Sequence, residues 1–207
     1  MSKKFYLTPR YILNRTKLFL YTNSNPGLPW LTKEAIGLLE QLIKPTDVLL
    51  EFGSGRSTIW FAQKCSKVIS VEHHPEWHEK VGKQLKEKKL NNVDYRLRND
   101  GNEADPENAE YCQIFSELKP GSIDIALVDG KHRAYTALKS IPLLKKGGIL
   151  LIDNVNWFLP SNTHSPVSVK SEEGISDEWM EVYNIIKEYR SIWTSNGVTD
   201  TAFYFKP

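Results

Sequence analysis

The 207-residue chain has few cysteines and no long apolar run. Its two cysteines, Cys65 and Cys112, lie far apart in predicted helices. This excludes a disulfide-rich scaffold and favours buried reduced thiols, with a disulfide or a metal-bound pair as the alternative. The first residues lack the apolar core of a signal peptide, and no apolar run is long enough to cross a membrane. We therefore expect a cytoplasmic protein without a membrane span.

A strong net charge is also absent. The chain has 27 lysines and arginines against 25 aspartates and glutamates, which argues against a general nucleic-acid-binding protein. The charge is nevertheless uneven, because six basic residues precede the first acidic residue, Glu34: Lys3, Lys4, Arg10, Arg15, Lys17 and Lys33. The same segment carries the aromatic residues Tyr6, Tyr11, Phe19, Tyr21 and Trp30. We predict a helical extension over residues 1–45 that covers a ligand site, contacts an anionic substrate or forms a homodimer, with a solvated extension as the alternative.

Alternating strand and helix patterns follow helices predicted at residues 8–21 and 32–43. Short apolar runs predict strands at 47–52, 68–72, 93–100, 122–130 and 147–154, and helices from 57 and at 75–89, 107–118, 133–144 and 177–189. The last residues predict a hairpin that turns at Asn196-Gly197. A chain with 40% hydrophobic residues can bury one core. We therefore expect an α/β, Rossmann-like, doubly wound and mostly parallel sheet in one domain over residues 46–207.

The run VLLEFGSGRST, residues 48–58, joins a predicted buried strand to a helix. Gly53 and Gly55 would let a ligand approach the backbone of this turn. A dinucleotide-binding turn needs a third glycine where this chain has Thr58, and Glu51 would face a pyrophosphate unfavourably. A cationic nucleotide ligand fits the turn better. Its predicted contacts are Glu51, Gly53, Ser54, Gly55 and Ser57.

A second acidic residue, Glu72, ends the next strand about twenty residues after the glycines. A carboxylate at this spacing accepts hydrogen bonds from both ribose hydroxyls, so we predict that Glu72 and the adjacent His73 contact an adenosine group. His74 and His78 have the i, i+4 spacing of metal ligands, but a solvated first turn of a helix is the favoured interpretation.

With these two motifs, the chain from Thr46 to its C-terminus resembles the class I S-adenosylmethionine-dependent methyltransferases. The resemblance implies an antiparallel final strand and S-adenosylmethionine as cofactor. It also implies that the positive end of the cofactor lies near Glu51 and its adenine near Asp100, with ordinary capping as the alternative role for Asp100. The acids that end the five strands are expected to share one crevice, and Asp129 among them is predicted to contact the cofactor: Glu51, Glu72, Asp100, Asp129 and Asp153.

The segments VDGKHRAY and IDNV are similar to those of catechol-type O-methyltransferases. That resemblance implies that Asp129, Asp153 and Asn154 hold a divalent ion such as magnesium, which binds the oxygens of the acceptor. His132 stands where those enzymes have a catalytic lysine, as in bacterial D-G-x-H relatives. We predict that His132 either accepts a proton or positions the turn. The catalytic set is therefore His132, Asp129 and Asp153, with the metal site as one of two open mechanisms.

Residues 156–175 form a long irregular segment, predicted either as a substrate lid or as a disordered surface loop. Taken together, the motifs predict an S-adenosylmethionine-dependent methyltransferase whose acceptor is a small molecule with a hydroxyl oxygen. A non-catalytic S-adenosylmethionine-binding or scaffold protein and a nicotinamide-dependent oxidoreductase are the alternatives.

Overall fold

The computed structural model describes residues 8–207 and confirms the predicted alternation of strands and helices. The strands are β1 (Val48–Phe52), β2 (Lys67–Glu72), β3 (Val93–Leu97), β4 (Ile123–Val128), β5 (Leu144–Asp153), β6 (Arg190–Ser195) and β7 (Asp200–Phe205). The helices are α1 (Pro9–Ser24), α2 (Lys33–Leu42), α3 (Arg56–Ala62), α4 (Pro75–Glu87), α5 (Ile114–Glu117), α6 (Arg133–Leu143) and α7 (Asp177–Ile186).

The strands form one sheet in the order β3-β2-β1-β4-β5-β7-β6. Strands β1 to β5 are parallel, and β7 runs antiparallel to both of its neighbours, β5 and β6. The expected Rossmann-like α/β fold with an antiparallel C-terminal strand is therefore confirmed. The chain reverses its strand order between β1 and β4, and this is where ligands bind in open α/β sheets.

Apolar residues are buried on both faces of the sheet. Leu49 packs with residues of α2 and α3 on one face, whereas its neighbour Leu50 packs with residues of α6 and α7 on the other. Successive residues of a strand point to opposite faces, so a strand covered on both sides is apolar at most of its positions. This requirement explains why β1, β4 and β5 were recognisable in the sequence.

Two predicted elements differ from the structure at the edge of the sheet. Strand β3 ends at Leu97 rather than Asp100, because the side chain of Asn99 accepts a hydrogen bond from the amide of Gly101 and turns the chain. The predicted helix at 107–118 is a short 3₁₀ turn followed by α5. The amide of Tyr111 donates to the carbonyl of Asn99 instead of to a carbonyl one helical turn earlier.

The N-terminal segment has two unlike helices. Helix α2 buries Ala35, Ile36 and Leu39 in the core, whereas α1 has no buried residue. Its basic and aromatic side chains from Arg10 onward therefore lie at the surface or beside a cavity described below. Lys3, Lys4 and Tyr6 lie outside the described residues, and the domain boundary near residue 45 stays a prediction.

The segment 156–175 is hydrogen-bonded to the sheet. The buried carboxylate of Asp200 accepts hydrogen bonds from the hydroxyls of Ser165 and Thr163 and from the indole N–H of Trp193. Val167, in the same segment, has a φ of 62°, a backbone conformation that β-branched residues rarely adopt. These contacts favour an ordered loop over the disordered alternative.

Both cysteines are free and buried, and burial raises the pKa of each thiol to about 12. The interpretation as reduced thiols therefore fits the structure better than a disulfide. No helix within residues 8–207 is long and apolar enough to span a membrane.

Two glycine turns touch each other at the carboxyl ends of β1 and β4. A Cβ added to Gly53, which has a φ of +88°, would lie 2.9 Å from Gly130 Cα. A Cβ added to Gly130 would lie 2.8 Å from the amide nitrogen of Gly53 and would overlap the Tyr111 hydroxyl. Both positions therefore require glycine for the packing of the two turns, before any ligand is considered.

This contact generates a stability prediction. Gly130→Ala should lower the free energy of unfolding by about 1–3 kcal/mol, since the new methyl group would meet the main chain of Phe52 and Gly53 and the fully buried Tyr111. Gly37→Ala is the matched control, because a Cβ at this exposed position of α2 meets nothing within 4 Å. It should raise the unfolding free energy by about 0.5–1 kcal/mol. Urea denaturation measures both; equal stability of Gly130→Ala and the wild type would contradict the turn packing.

Candidate active site

A cavity of about 760 Å³, here called the cofactor cavity, opens at the carboxyl ends of β1, β2 and β4. It brings together five of the residues predicted to contact the cofactor: Gly53, Ser54, Glu72, His73 and Asp129. It is also lined by Trp77, Gly130 and Lys131, to which the sequence analysis gave no role, and by Trp30 of the N-terminal segment that was predicted to cover a ligand site.

Glu72 is the best-anchored side chain of the cofactor cavity and is only 3% exposed. Its Oε2 accepts hydrogen bonds from the amide (2.9 Å) and hydroxyl (2.7 Å) of Ser54. Its Oε1 accepts from the amides of His73 (2.9 Å) and His74 (2.8 Å). Four donors thus fix this carboxylate and tie the turn after β1 to the end of β2, in the position that the sequence assigns to ribose recognition.

Ser54 is itself held by two aromatic residues. The indole N–H of Trp77 donates to the Ser54 carbonyl at 2.7 Å, and the Tyr95 hydroxyl lies 2.7 Å from the Ser54 hydroxyl. Tyr95 also stacks on His78 at 4.2 Å, so His78 is a packing residue in this arrangement. Trp77 stands among charged residues at the start of α4, and this was the feature of the sequence that could have indicated its place in the cavity wall.

Glu51 lies behind the turn rather than in the cofactor cavity. Its buried Oε2 accepts hydrogen bonds from the hydroxyls of Thr58 (2.5 Å) and Ser70 (2.6 Å), and the Thr58 hydroxyl accepts the amide N–H of Gly55 at 2.9 Å. Glu51 therefore supports the turn from behind, and Gly55 and Ser57 do not line the cavity. Burial raises the pKa of Glu51 to about 7.

Asp100 and His132 contact each other away from the cofactor cavity. The His132 Nε2 lies 2.5 Å from the Asp100 carbonyl oxygen, and because a carbonyl only accepts, Nε2 carries the hydrogen. His132 lines a separate cavity of about 520 Å³ with Tyr135 and Phe158. The geometry thus favours the alternative in which His132 positions the turn. It does not bring Asp100 to the cofactor cavity.

Arg133, the first residue of α6, occupies the centre of the predicted metal site. Its guanidinium donates to Asp129 Oδ1 (2.9 Å), to Asn154 Oδ1 (3.2 Å) and to the main-chain carbonyls of Asp129 (2.9 Å), Gly130 (3.1 Å) and Asp153 (2.7 Å). Asp153 Oδ1 accepts a hydrogen bond from the Thr201 hydroxyl at 2.7 Å. The turns after β4 and β5 are therefore joined by one arginine.

The Asp153 carboxylate is buried, whereas the Asp129 carboxylate, which Arg133 binds, is half-buried. Burial raises the pKa of Asp129, and Arg133 opposes that shift. Burial and the charge of Asp129 together raise the pKa of Asp153. Asp129, which lines the cofactor cavity, is thus a carboxylate with an unusually high affinity for a proton.

This arrangement does not fit a divalent ion. Asp129 and Asn154 already accept hydrogen bonds from Arg133, so an ion would have to displace a fixed positive charge. Within residues 8–207, no group of three or more histidine, cysteine, aspartate or glutamate side chains is arranged to hold a metal. Of the three predicted ligands, Asp129 and Asn154 bind the guanidinium through their side chains, whereas the Asp153 carboxylate binds the Thr201 hydroxyl.

A second cavity of about 760 Å³, here called the acceptor cavity, adjoins the first. Trp30 lines both cavities, and Arg56, which follows the glycine turn, and Asn154, which is bound to Arg133, line the acceptor cavity. Helix α1, the 156–175 segment and the β6–β7 turn supply most of the remaining wall. Two spaces of ligand size therefore meet beside Trp30.

Comparison with protein families identifies the class of protein that contains these two cavities. A family model described as "Methyltransferase domain" matches residues 50–155, just over half of the chain. The chain belongs to this family. It is an S-adenosylmethionine-dependent methyltransferase, as the sequence motifs predicted. Among curated protein sequences, no match to the chain was found.

Solved structures share the fold at low sequence identity. A proposed caffeoyl-CoA O-methyltransferase from Staphylococcus aureus is 19% identical with a TM-score of 0.61, and the match covers 97% of this chain and 93% of that one. The protein SMU.1697c from Streptococcus mutans, a proposed methyltransferase in complex with SAH, is 14% identical (TM-score 0.57; 87% and 99%). An rRNA methylase from Streptococcus thermophilus is 13% identical (TM-score 0.54; 83% and 93%). These neighbours bear on the fold alone, and the roles of individual residues stay predictions.

The position of Glu72 generates a binding prediction for this methyltransferase. Glu72→Gln should weaken S-adenosylhomocysteine binding by about 1–3 kcal/mol, because the ribose hydroxyls would lose a charged acceptor. Isothermal titration calorimetry measures the affinity, and circular dichroism checks that the variant is folded. The control is Glu79→Gln, an exposed acid on α4 that pairs only with Lys83 in the described chain and should bind like the wild type. Unchanged affinity of folded Glu72→Gln would remove Glu72 from the site.

Proposed function

We propose that this methyltransferase transfers a methyl group from S-adenosylmethionine to a hydroxyl oxygen of a small molecule. The observation that carries the proposal is the junction of the two cavities beside Trp30, with Asp129 on one side and Asn154 on the other. A ligand in each cavity would meet at this junction. The methyl group on the positive sulfur of the cofactor is the electrophile that the reaction needs.

The residues of the cofactor cavity hold and orient the cofactor in this proposal. Glu72 accepts the ribose hydroxyls, and the turn at Gly53 and Ser54 leaves its backbone accessible. The ionised carboxylates of Glu51 and Asp129 favour a ligand with positive charge. Holding donor and acceptor in line supplies most of the rate, because methyl transfer needs little else once the two atoms are aligned.

Asp129 is the proton acceptor in this proposal. It lines the cofactor cavity, Arg133 links it to Asn154 of the acceptor cavity, and its raised pKa makes it a better base than an exposed aspartate. Arg133 holds Asp129 in place, so the carboxylate does not need to reorganise. Asp153, bound to Thr201 and out of both cavities, supports the turn after β5, and His132 positions the turn after β4.

Arg133 also takes the place of a divalent ion in the proposal. Its guanidinium supplies a fixed positive charge between the turns after β4 and β5. An arginine holds this charge at any working pH because its pKa lies far above neutrality. The acceptor oxygen is then oriented by the cavity walls and by hydrogen bonding to Asn154 rather than by a metal.

A small-molecule acceptor is favoured over nucleic acid because the acceptor cavity has the volume of a small-molecule site. The rRNA methylase among the structural neighbours keeps nucleic acid as the second candidate. The homodimer and the cytoplasmic location stay predictions.

The arrangement around Arg133 predicts that the enzyme needs no divalent ion. Titration of the wild type with Mn²⁺, followed by electron paramagnetic resonance, should detect no site tighter than about 1 mM, a range typical of weak carboxylate sites. A chelator should leave methyl transfer to a phenolic acceptor unchanged. Arg133→Gln should lower that activity while S-adenosylhomocysteine still binds. A Mn²⁺ site in the wild type that disappears in Asp129→Asn would support the metal mechanism instead.

The pKa of Glu51 predicts a pH dependence of cofactor binding. A cationic cofactor favours ionised Glu51, whose pKa in the free protein is about 7, so affinity should rise from pH 6 to pH 8 and level off above. The rise should be larger for S-adenosylmethionine than for S-adenosylhomocysteine, because only the former has a positive sulfur. Glu51→Gln should remove the step near pH 7. Calorimetry across this pH range tests it, and an identical profile in Glu51→Gln would refute the role of Glu51.

A further inference from the structure

The charged residues of the acceptor cavity are all of one sign. Arg15 of α1 and Arg56 of α3 line it, and no aspartate or glutamate does. Among residues 8–207, neither arginine has a carboxylate within 4.0 Å. Arg133, by contrast, is paired with Asp129. The cavity therefore carries two positive charges that the described part of the protein does not neutralise.

Arg56 is held in position without a counter-ion. Its guanidinium lies 5.3 Å from the ring centroid of Trp30, and its Nη1 donates to the carbonyl of Thr22 at 3.3 Å. Trp30 in turn stacks on Trp77 of the cofactor cavity, with ring centroids 6.3 Å apart. A guanidinium fixed on an aromatic face keeps further N–H groups for a ligand, and it presents them in a planar fork that matches an oxyanion.

Most of the remaining wall of the cavity is apolar or aromatic, and the rest consists of asparagine and threonine side chains. Tyr11 and Phe19 of α1 face the same space as Trp30, Trp157 and Val167. Several of these side chains are largely exposed, with Phe19 at 63%, Trp30 at 57% and Trp157 at 47%. Such flat apolar groups around two unpaired cations match a ligand that is itself flat and apolar but carries a negative group.

We propose that the acceptor is an aromatic small molecule with an oxyanion group, a carboxylate or phosphate, which Arg15 and Arg56 bind. The inference deepens the proposed function and rests on it, because it assigns this cavity to the acceptor. The ring of the acceptor packs on Trp30 and its neighbours. Its hydroxyl reaches the junction at Asn154, and its oxyanion stays with the two arginines.

A matched pair of probes isolates the charge. 6-Hydroxy-2-naphthoate and 6-hydroxy-2-naphthamide have the same ring and hydroxyl, but only the first is an anion. Their affinity for the protein loaded with S-adenosylhomocysteine is measured by calorimetry at low and at 0.5 M salt. We expect the naphthoate to bind about tenfold more tightly or better at low salt, and salt should reduce this difference.

Variants assign the preference to the two arginines. Arg15→Gln and Arg56→Gln should each reduce the naphthoate affinity, and the double variant should bind naphthoate and naphthamide equally. Lys17→Gln removes a positive charge from α1 outside the cavity and should keep the full preference. All four variants should bind S-adenosylhomocysteine as the wild type does, which separates this test from that of the proposed function.

Three results would overturn the inference. The first is equal affinity for the two probes, or no binding of either, in a protein that binds S-adenosylhomocysteine. The second is a naphthoate preference that survives in the double arginine variant. The third is a single-stranded RNA oligonucleotide that displaces the naphthoate and loses affinity in the double variant, which would assign the arginines to nucleic acid. Failure to bind S-adenosylhomocysteine would instead refute the proposed function.

Discussion

The main chain of Gly53 lies against the main chain of Gly130, and this contact fixes the centre of the site. The amide of Gly53 donates to the carbonyl of Val71, and the amide of Asp129 donates to the carbonyl of Phe52. The carboxyl ends of β1, β2 and β4 are therefore locked to one another. A side chain at either glycine would separate the turns and displace both Ser54 and Asp129. The cofactor cavity thus depends on the contact between Gly53 and Gly130, where the turns after β1 and β4 have no space for a Cβ atom.

Arg133 extends this frame to β5. Its five hydrogen bonds join the turn that carries Asp129 to the turn that carries Asn154, so the cofactor cavity and the acceptor cavity share one support. The charge of Asp129 disfavours ionisation of the buried Asp153, and the guanidinium offsets part of that repulsion. The same positive charge is hydrogen-bonded to two of the predicted metal ligands, Asp129 and Asn154.

The fold and half of the cofactor cavity were predictable because their causes are local. Apolar strands followed by Gly53, Glu72 and Asp129 give the sheet and the place where ligands bind. The roles of Arg133 and Trp77 were not predicted, since they depend on contacts between segments far apart in sequence, whereas Trp30 lies in the aromatic segment that was expected to cover a ligand site. The motif that suggested a metal site and a base at His132 is present in the chain. Its neighbour Arg133 binds two of the predicted metal ligands. That His132 contacts the carbonyl of Asp100, away from the cofactor cavity, follows only from the three-dimensional structure.

On the proposed assignment, the two cavities differ in charge as their ligands do. The cofactor cavity is lined by three acids, Glu72, Glu76 and Asp129, and by two lysines, Lys80 and Lys131, of which Lys131 pairs with Glu103 and Asp100. Arg15 and Arg56 give the acceptor cavity unpaired cations. A positive cofactor and a negative acceptor are therefore each attracted to their own space, and to each other across Trp30. Methyl transfer removes the positive charge of the sulfur, so the attraction that assembles the complex weakens once the reaction is complete.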